Sequence, residues 1–374
     1  MNRIKISQID AVFTNGSYPI EFLLFFRNRL KTKYLRSALR KLSAVFWPMF
    51  GKYDQGVLQF DAYNEENHFD ETAENQIFDA NAPAISIHEK YRDAINTEHP
   101  ALFFLKILQH KNGTVLIPRQ NHLAGDGYSY FYFLSALAAL SRFSLLPFKK
   151  SMLRRLYKPH HHRNILKEFE YRGIETAPVQ IPAQLTIKLE EIPREEIRQG
   201  IKEVALQFNY QVSPNDLLTA MITKKIFAIQ RNYSGTSFHV TIPIDVRRSV
   251  REFGPKFFGN GIMFNRIDFK VTDLENISVH ELAVKIRKSM PAVTRENFIS
   301  FLESLETIIA SREIEKLKPF DPDCGSLVTN LSKMPTNKLD FGTGRVDYIV
   351  PLTIAKNSTA ILSRGNDYIL RIAF

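Results

Sequence analysis

Asn121-His122-Leu123-Ala124-Gly125-Asp126-Gly127 is the stretch on which the reading of the fold turns. A strand-like run, Thr114 to Asn121, leads into it, and an apolar, alanine-rich helix is expected from Gly127 to about Leu140. A histidine is thus delivered to a strand end and followed by a glycine-punctuated turn, an acid and a helix start, which is how a side chain is presented in a cleft. An imidazole of ordinary pKa, about 6.5, exchanges protons at neutral pH and serves as a general base when a hydroxyl or amine lies within reach. A plainer role is open to each residue. The chain has 10 histidines, most of which are expected on the surface or in packing roles. Asp126 is equally suited to sit as an acid at a positive helix end.

Outward from this stretch, Leu102 to Gln109 and Thr114 to Asn121 flank Lys111-Asn112-Gly113, whose Asn-Gly pair predicts a hairpin turn with positive φ at both residues. Ile20 to Phe26 is an apolar, aromatic run of strand length. Leu35, Leu39, Leu42 and Phe46 recur at helical spacing with Lys33, Arg36, Arg40 and Lys41 on other faces, an amphipathic helix ended near Pro48. Residues 61 to 100 show little periodicity before Ile85-Ser86-Ile87 and read as loop with short elements. Further on, Leu185, Ile187 and Leu189 alternate as a strand, and Ile197, Ile201, Val204 and Phe208 repeat as a helix. Ser213-Pro214-Asn215-Asp216 caps a helix running to about Ile229. Ser278 and Glu281 have capping-box spacing, and Phe298, Leu302, Leu305 and Ile309 mark one more helix. Ala360 to Ser363 and Tyr368 to Ile372, around Gly365-Asn366, close the chain as a hairpin. Helices and strands alternate irregularly, so the expected class is α/β or mixed α+β.

With 374 residues the chain is long enough for two lobes. We place the N-terminal lobe at 1–150, a basic crossover linker at 151–182, marked by Pro178 and Pro182, and the C-terminal lobe at 183–374. Hydrophobic residues make up 44% and charged residues 24%, which excludes a disordered chain. Cys324 is the only cysteine, so neither an intramolecular disulfide framework nor a multi-cysteine zinc motif is available, and a reducing, cytoplasmic location is expected. Met1 to Asp10 has no apolar run of signal-peptide length, and the longest apolar run, Phe131 to Leu140, falls short of the ~20 residues a membrane span needs.

The net charge is +11. Lys149, Lys150, Arg154, Arg155, Lys158, Arg163 and Lys167 lie in a stretch without acids, together with His160, His161 and His162. This stretch reads as a solvated linker, as a site for an anionic partner, or as a membrane or nucleic-acid patch. No recognised nucleic-acid module accompanies it, so no nucleic-acid partner is expected. Three adjacent histidines cannot all face one ion on a regular element, and no metal site is expected. Nor does the sequence contain a P-loop, a Rossmann fingerprint or an EF-hand loop. Cys324 as a nucleophile lacks any supporting motif.

The run from His122 to Gly127 resembles the H-x-x-x-D-G motif of the acyltransferase superfamily that contains chloramphenicol acetyltransferases, BAHD acyltransferases and condensation domains. Far downstream, Asp340-Phe341-Gly342-Thr343-Gly344 is similar to the BAHD D-F-G-W-G motif, with Thr343 in place of the tryptophan. Weaker agreements are Ser7-x-x-Asp10, Asn215-Asp216-Leu217-Leu218, Asp245-Val246-Arg247, Gly259-Asn260 and Thr329-Asn330. Asn121 stands where acetyltransferases and condensation domains carry another histidine, and the chain is short for a BAHD enzyme.

The resemblance implies two lobes, each a mixed sheet flanked by helices, with His122 in a tunnel between them as general base. It implies an acyltransferase of secondary metabolism that moves an acyl group from CoA or a carrier-protein phosphopantetheine to an alcohol or amine, as a monomer and with no bound cofactor. Asp126 is implied to be structural, pairing with Arg247 and fixing the turn ahead of Gly127. Asp340, Gly342 and Gly344 are implied to shape the backbone beside the tunnel. Thr329 and Asn330 are the oxyanion candidates, and Lys149, Lys150, Arg154 and Arg155 are candidates for donor phosphates. Two other readings use the same scaffold: a stand-alone condensation-type amide former fed by a carrier protein, and a non-catalytic binding protein.

Overall fold

The computed structural model of the protein describes residues 2–14, 19–95, 101–142, 165–166, 185–230, 234–353 and 355–374. Its strands are β1 (Asn2–Lys5), β2 (Ile20–Phe26), β3 (Lys52–Asp54), β4 (Val57–Phe60), β5 (Phe69–Ala73), β6 (Phe103–His110), β7 (Gly113–Gln120), β8 (Ile187–Pro193), β9 (Ser237–Asp245), β10 (Ile262–Lys270), β11 (Gly325–Asn330), β12 (Tyr348–Pro351), β13 (Ser358–Arg364) and β14 (Asp367–Ala373). Its helices are α1 (Gln8–Ala11), α2 (Thr32–Ser43), α3 (Ala84–Tyr91), α4 (Gly127–Arg142), α5 (Arg194–Phe208), α6 (Pro214–Ile229), α7 (Val271–Asn276), α8 (Val279–Ser289) and α9 (Arg295–Ser311). The class is the expected mixed α/β.

A five-stranded sheet of order β12-β2-β7-β6-β5 and a six-stranded sheet of order β10-β9-β11-β13-β14-β8 dominate, beside a small sheet of order β1-β4-β3. Strand β2 explains the first sheet. All seven of its residues are buried. Phe22, Leu24 and Phe26 enter the main core and Leu23 and Phe25 enter a second core that also takes Ile87 and Tyr91 of α3, as the period of two along a strand requires. Helix α4 is apolar nearly all round, with Tyr130, Phe131, Phe133, Leu134 and Leu137 inaccessible to solvent, and α2 packs on it through Leu35, Leu39 and Leu42. In the six-stranded sheet Val240, Val328, Ile361 and Ile372 face the core built with α5, α6 and α8. The opposite face carries the row Thr329, Ala360 and Arg371, which pair directly across β11, β13 and β14.

The expected C-terminal lobe, 183–374, sends β12 into the first sheet, where Tyr348–Pro351 pairs antiparallel with β2, and lays α9 against α1. The helix of residues 35–46 stops at Ser43, ahead of a separate 3-10 turn, Trp47–Phe50, that takes Pro48 at its start. The β6–β7 hairpin differs in chemistry from the expectation. His110 pairs directly with Gly113, so the two loop residues are Lys111 and Asn112, and neither has positive φ. Gly113 is required for another reason: a Cβ there would stand 2.1 Å from the carbonyl oxygen of Phe26. No helix among the described residues is long and apolar enough to cross a membrane.

Candidate active site

His122 begins a 3-10 turn, His122–Ala124, directly after β7, and Asn121 caps that turn by accepting the Leu123 amide at 2.9 Å. Gly125, at φ +152°, turns the chain where a Cβ would meet the Ser129 Cβ at 2.8 Å. The imidazole stacks on Phe13, with ring centroids 3.9 Å apart and planes 14° from parallel. Its Nδ1 lies 3.2 Å from Asn260 Oδ1. Asn260 Nδ2 donates to Asp10 Oδ1 at 2.8 Å and to the His122 carbonyl at 2.9 Å. Both of those partners only accept, so the amide can present only its oxygen to the ring. Nδ1 therefore carries the proton and Nε2 keeps its lone pair, the tautomer a general base needs. Asp10 is fixed in turn by the Ser7 amide at 2.9 Å and the Ser7 hydroxyl at 2.7 Å. Burial holds the His122 imidazole below the usual histidine range, while the Asp126 charge, the Asn260 bond and Asp10 pull it upward. The ring is thus neutral at pH 7.

Asp126 points away from the ring. Its two oxygens take a forked pair of bonds from Arg247, Nη1 at 2.8 Å and Nη2 at 2.9 Å, and accept the amides of Ser129 at 3.0 Å and Gly261 at 2.9 Å. Both side chains are buried. Despite that burial, the Arg247 charge and the hydrogen bonds lower the Asp126 carboxyl, and the Asp126 charge leads the groups that raise Arg247. Arg247 also bonds Asp245 Oδ1 at 3.0 Å and the carbonyls of Phe257 at 3.1 Å and Gly259 at 2.8 Å, so one guanidinium ties the His122 turn to the β9–β10 connection. Gly261 is a glycine because a Cβ would lie 2.8 Å from the guanidinium carbon.

His122 opens onto a cavity of about 200 Å³ between the two large sheets, walled by Phe22 of β2 on one side and by Thr329 and Arg371 on the other. The Thr329 hydroxyl donates to no described residue. Strand alternation turns the Asn330 side chain to the helix face, where Nδ2 donates to Asn215 Oδ1 at 2.8 Å while its Oδ1 accepts the Ser332 hydroxyl at 2.6 Å. Both oxyanion candidates line the cavity, but the Asn330 amide is already engaged by Asn215 and Ser332, which leaves the Thr329 hydroxyl as the free donor among the described residues.

The second motif lies elsewhere. Asp340 Oδ1 accepts the amides of Gly342 at 2.8 Å and Gly344 at 3.2 Å, closing a turn in which both glycines have positive φ. Its other oxygen lies 3.7 Å from Arg142 at the end of α4, and Phe341 packs edge-on against Phe26. None of its residues walls the His122 cavity. Lys149, Lys150, Arg154 and Arg155, like His160 to His162, lie outside the described residues. At Cys324, burial and Asp321 raise the thiol pKa, the reverse of nucleophile activation. Among the described residues no cluster of three or more His, Cys, Asp or Glu is arranged to hold a metal. Sequence reasoning assigned no role to Asn260, Asp10 or Arg371. The Gly259-Asn260-Gly261 turn and the Ser7-x-x-Asp10 cap were visible signals for the first two. Arg371, inside an apolar terminal strand, gave none.

TRI101 of F. graminearum, solved with coenzyme A and deoxynivalenol, aligns with a TM-score of 0.75 at 12% identity over 100% of this chain and 95% of that one. Vinorine synthase aligns with a TM-score of 0.75 at 18% identity, over 100% of this chain and 90% of its own. The first condensation domain of the calcium-dependent antibiotic synthetase gives 0.60 at 12% identity, over 100% and 90%. At these identities the likeness is one of fold, the fold expected from the two motifs. No curated protein matches by sequence. The Transferase family model matches residues 2–367, and the chain therefore belongs to the Transferase (BAHD) family.

Proposed function

We propose that the protein is an acyltransferase that moves an acyl group from coenzyme A to an alcohol or amine. The observation that carries this reading is the state of His122: neutral, locked by Asn260 into the Nδ1–H tautomer, and opening onto a cavity between the two sheets. Nε2 takes the acceptor's proton as its oxygen or nitrogen attacks the thioester carbonyl. The resulting oxyanion is met by the Thr329 hydroxyl. Collapse breaks the carbon–sulfur bond, and the imidazolium returns the proton to the departing thiolate, so alcohol plus acyl-CoA yields ester plus CoA thiol. No acyl-enzyme forms. Asp126 and Arg247, bonded to each other, hold the turn that aims the ring. Coenzyme A is preferred over a carrier protein as donor because TRI101, solved with coenzyme A, aligns more fully than the condensation domain does.

Purified protein with a panel of acyl-CoAs and mixed alcohols and amines should release thiol, and His122→Ala should abolish that release while leaving the folded state intact. Release that survives in His122→Ala would end this mechanism. Turnover of acylated carrier protein alone would move the donor assignment to the condensation type.

A further inference from the structure

Two arginines sit in the wall of the His122 cavity, and their surroundings differ completely. Arg247 is neutralised by Asp126 and Asp245. Arg371, 4% exposed, donates through Nη1 to the Thr353 carbonyl, and its buried Nε has no partner among the described residues. Burial alone shifts it, pulling the guanidinium down to about 10, and no described carboxylate opposes that effect. Its titratable neighbour His88 is itself buried and is pushed down to about 4, so it adds no counter-charge. A guanidinium has five N–H donors and stays protonated at neutral pH. A buried cation without a counter-ion is costly to the fold, which makes it a functional-site candidate when it faces a cavity.

We propose that Arg371 binds a carboxylate carried by the substrate, a specificity that rests on the acyl-transfer reading above. Thr329 pairs with Ala360 and Ala360 with Arg371, so the two functional residues share one sheet face two strands apart, roughly 10 Å between backbones. Both line the same cavity of about 200 Å³, so a single small molecule spanning it would meet both. The pantetheine arm keeps the phosphates of coenzyme A much farther than this from the thioester, so the anion is a carboxylate close to the reacting carbon. It belongs either to a hydroxy-acid or amino-acid acceptor, or to the free end of a dicarboxylic acyl group.

The test runs both arms on the full chain. In the donor arm, succinyl-CoA is compared with butyryl-CoA; in the acceptor arm, acetyl-CoA is used with hydroxy acids and their amides. In one arm wild type should prefer the carboxylate, and Arg371→Gln should collapse the ratio of kcat/KM values by about 100-fold. A ratio unmoved in both arms, or no carboxylate preference in wild type, overturns the proposal. A second readout needs no turnover. On a His122→Ala background the same carboxylates should raise Tm, and Arg371→Gln should erase the rise while neutral analogues change nothing. Arg371-dependent Tm shifts without any His122-dependent thiol release would keep this site and sink the acyl-transfer reading; the reverse result would do the opposite. Finally, Arg371→Met, of similar volume, should raise the ligand-free Tm. A fall would mark Arg371 as a structural brace and overturn its assignment.

Discussion

The loops 122–127 and 340–344 are built alike, each with an aspartate and two glycines, yet they do different work. In the first, the aspartate is buried against a buried arginine and the histidine is left facing a cavity. In the second, the aspartate turns back onto the amides of its own loop, meets Arg142 at 3.7 Å with both side chains partly exposed, and no residue reaches that cavity. Glycine spacing therefore reports backbone geometry, and the chemistry depends on which side chain the geometry carries and how dry its surroundings are.

The sharpest way to break this comparison is kinetic. His122→Ala should lower kcat/KM by about 10³-fold with circular dichroism and Tm preserved, whereas Asp340→Ala should stay within about tenfold. Next comes stability. Asp126→Ala strands Arg247 without its main counter-ion and should cost about 3 kcal/mol in urea unfolding, against about 1 kcal/mol for Asp340→Ala, whose ion pair is partly solvated. Equal losses would mean that the two acids are equivalent braces. The Asp126 contribution has a defined pH window. Its folded pKa is lowered, so the stability it lends is complete above the unfolded value of about 3.9 and is lost only as pH falls through the folded value.

A smaller effect separates positioning from proton transfer. Asn260→Ala should lower kcat about 10-fold and, because the Asn260 bond raises the His122 pKa, move the acid limb of the rate profile to lower pH. Asn260→Asp adds a negative charge beside the ring and should move that limb upward. In the wild-type protein the limb should lie below pH 6.5, since burial depresses the imidazole. A profile unmoved by either substitution would detach Asn260 from the base.

Much of the architecture was legible because it is written locally. The buried strand Ile20–Phe26, the capped helix Pro214–Ile229 and the terminal hairpin each carry their own period and their own ends. The His122 turn was legible for the same reason, and its arginine partner was reachable through the family pattern. What was not legible is what depends on distant segments meeting. Asp10, Asn260 and His122 come from three parts of the chain and form one line of hydrogen bonds. Asn330 follows Thr329 in sequence, yet its amide is engaged by Asn215 and Ser332. Arg371 reads in sequence as one polar residue in a strand, and only the absence of a described counter-ion around it gives it meaning.

The pairing of β12 with β2 has a consequence for how the protein is made. The first sheet's most buried strand emerges from the ribosome early, whereas the segment that covers its edge, Tyr348–Pro351, is translated more than 300 residues later. Through most of synthesis, then, a strand edge that is apolar except for Glu21 has no native neighbour, a state prone to pairing with other chains. Yield in a cell should depend on holdase chaperones, and a premature stop just before Tyr348 should give insoluble protein, even though it spares every residue of the His122 turn and its Arg247 brace.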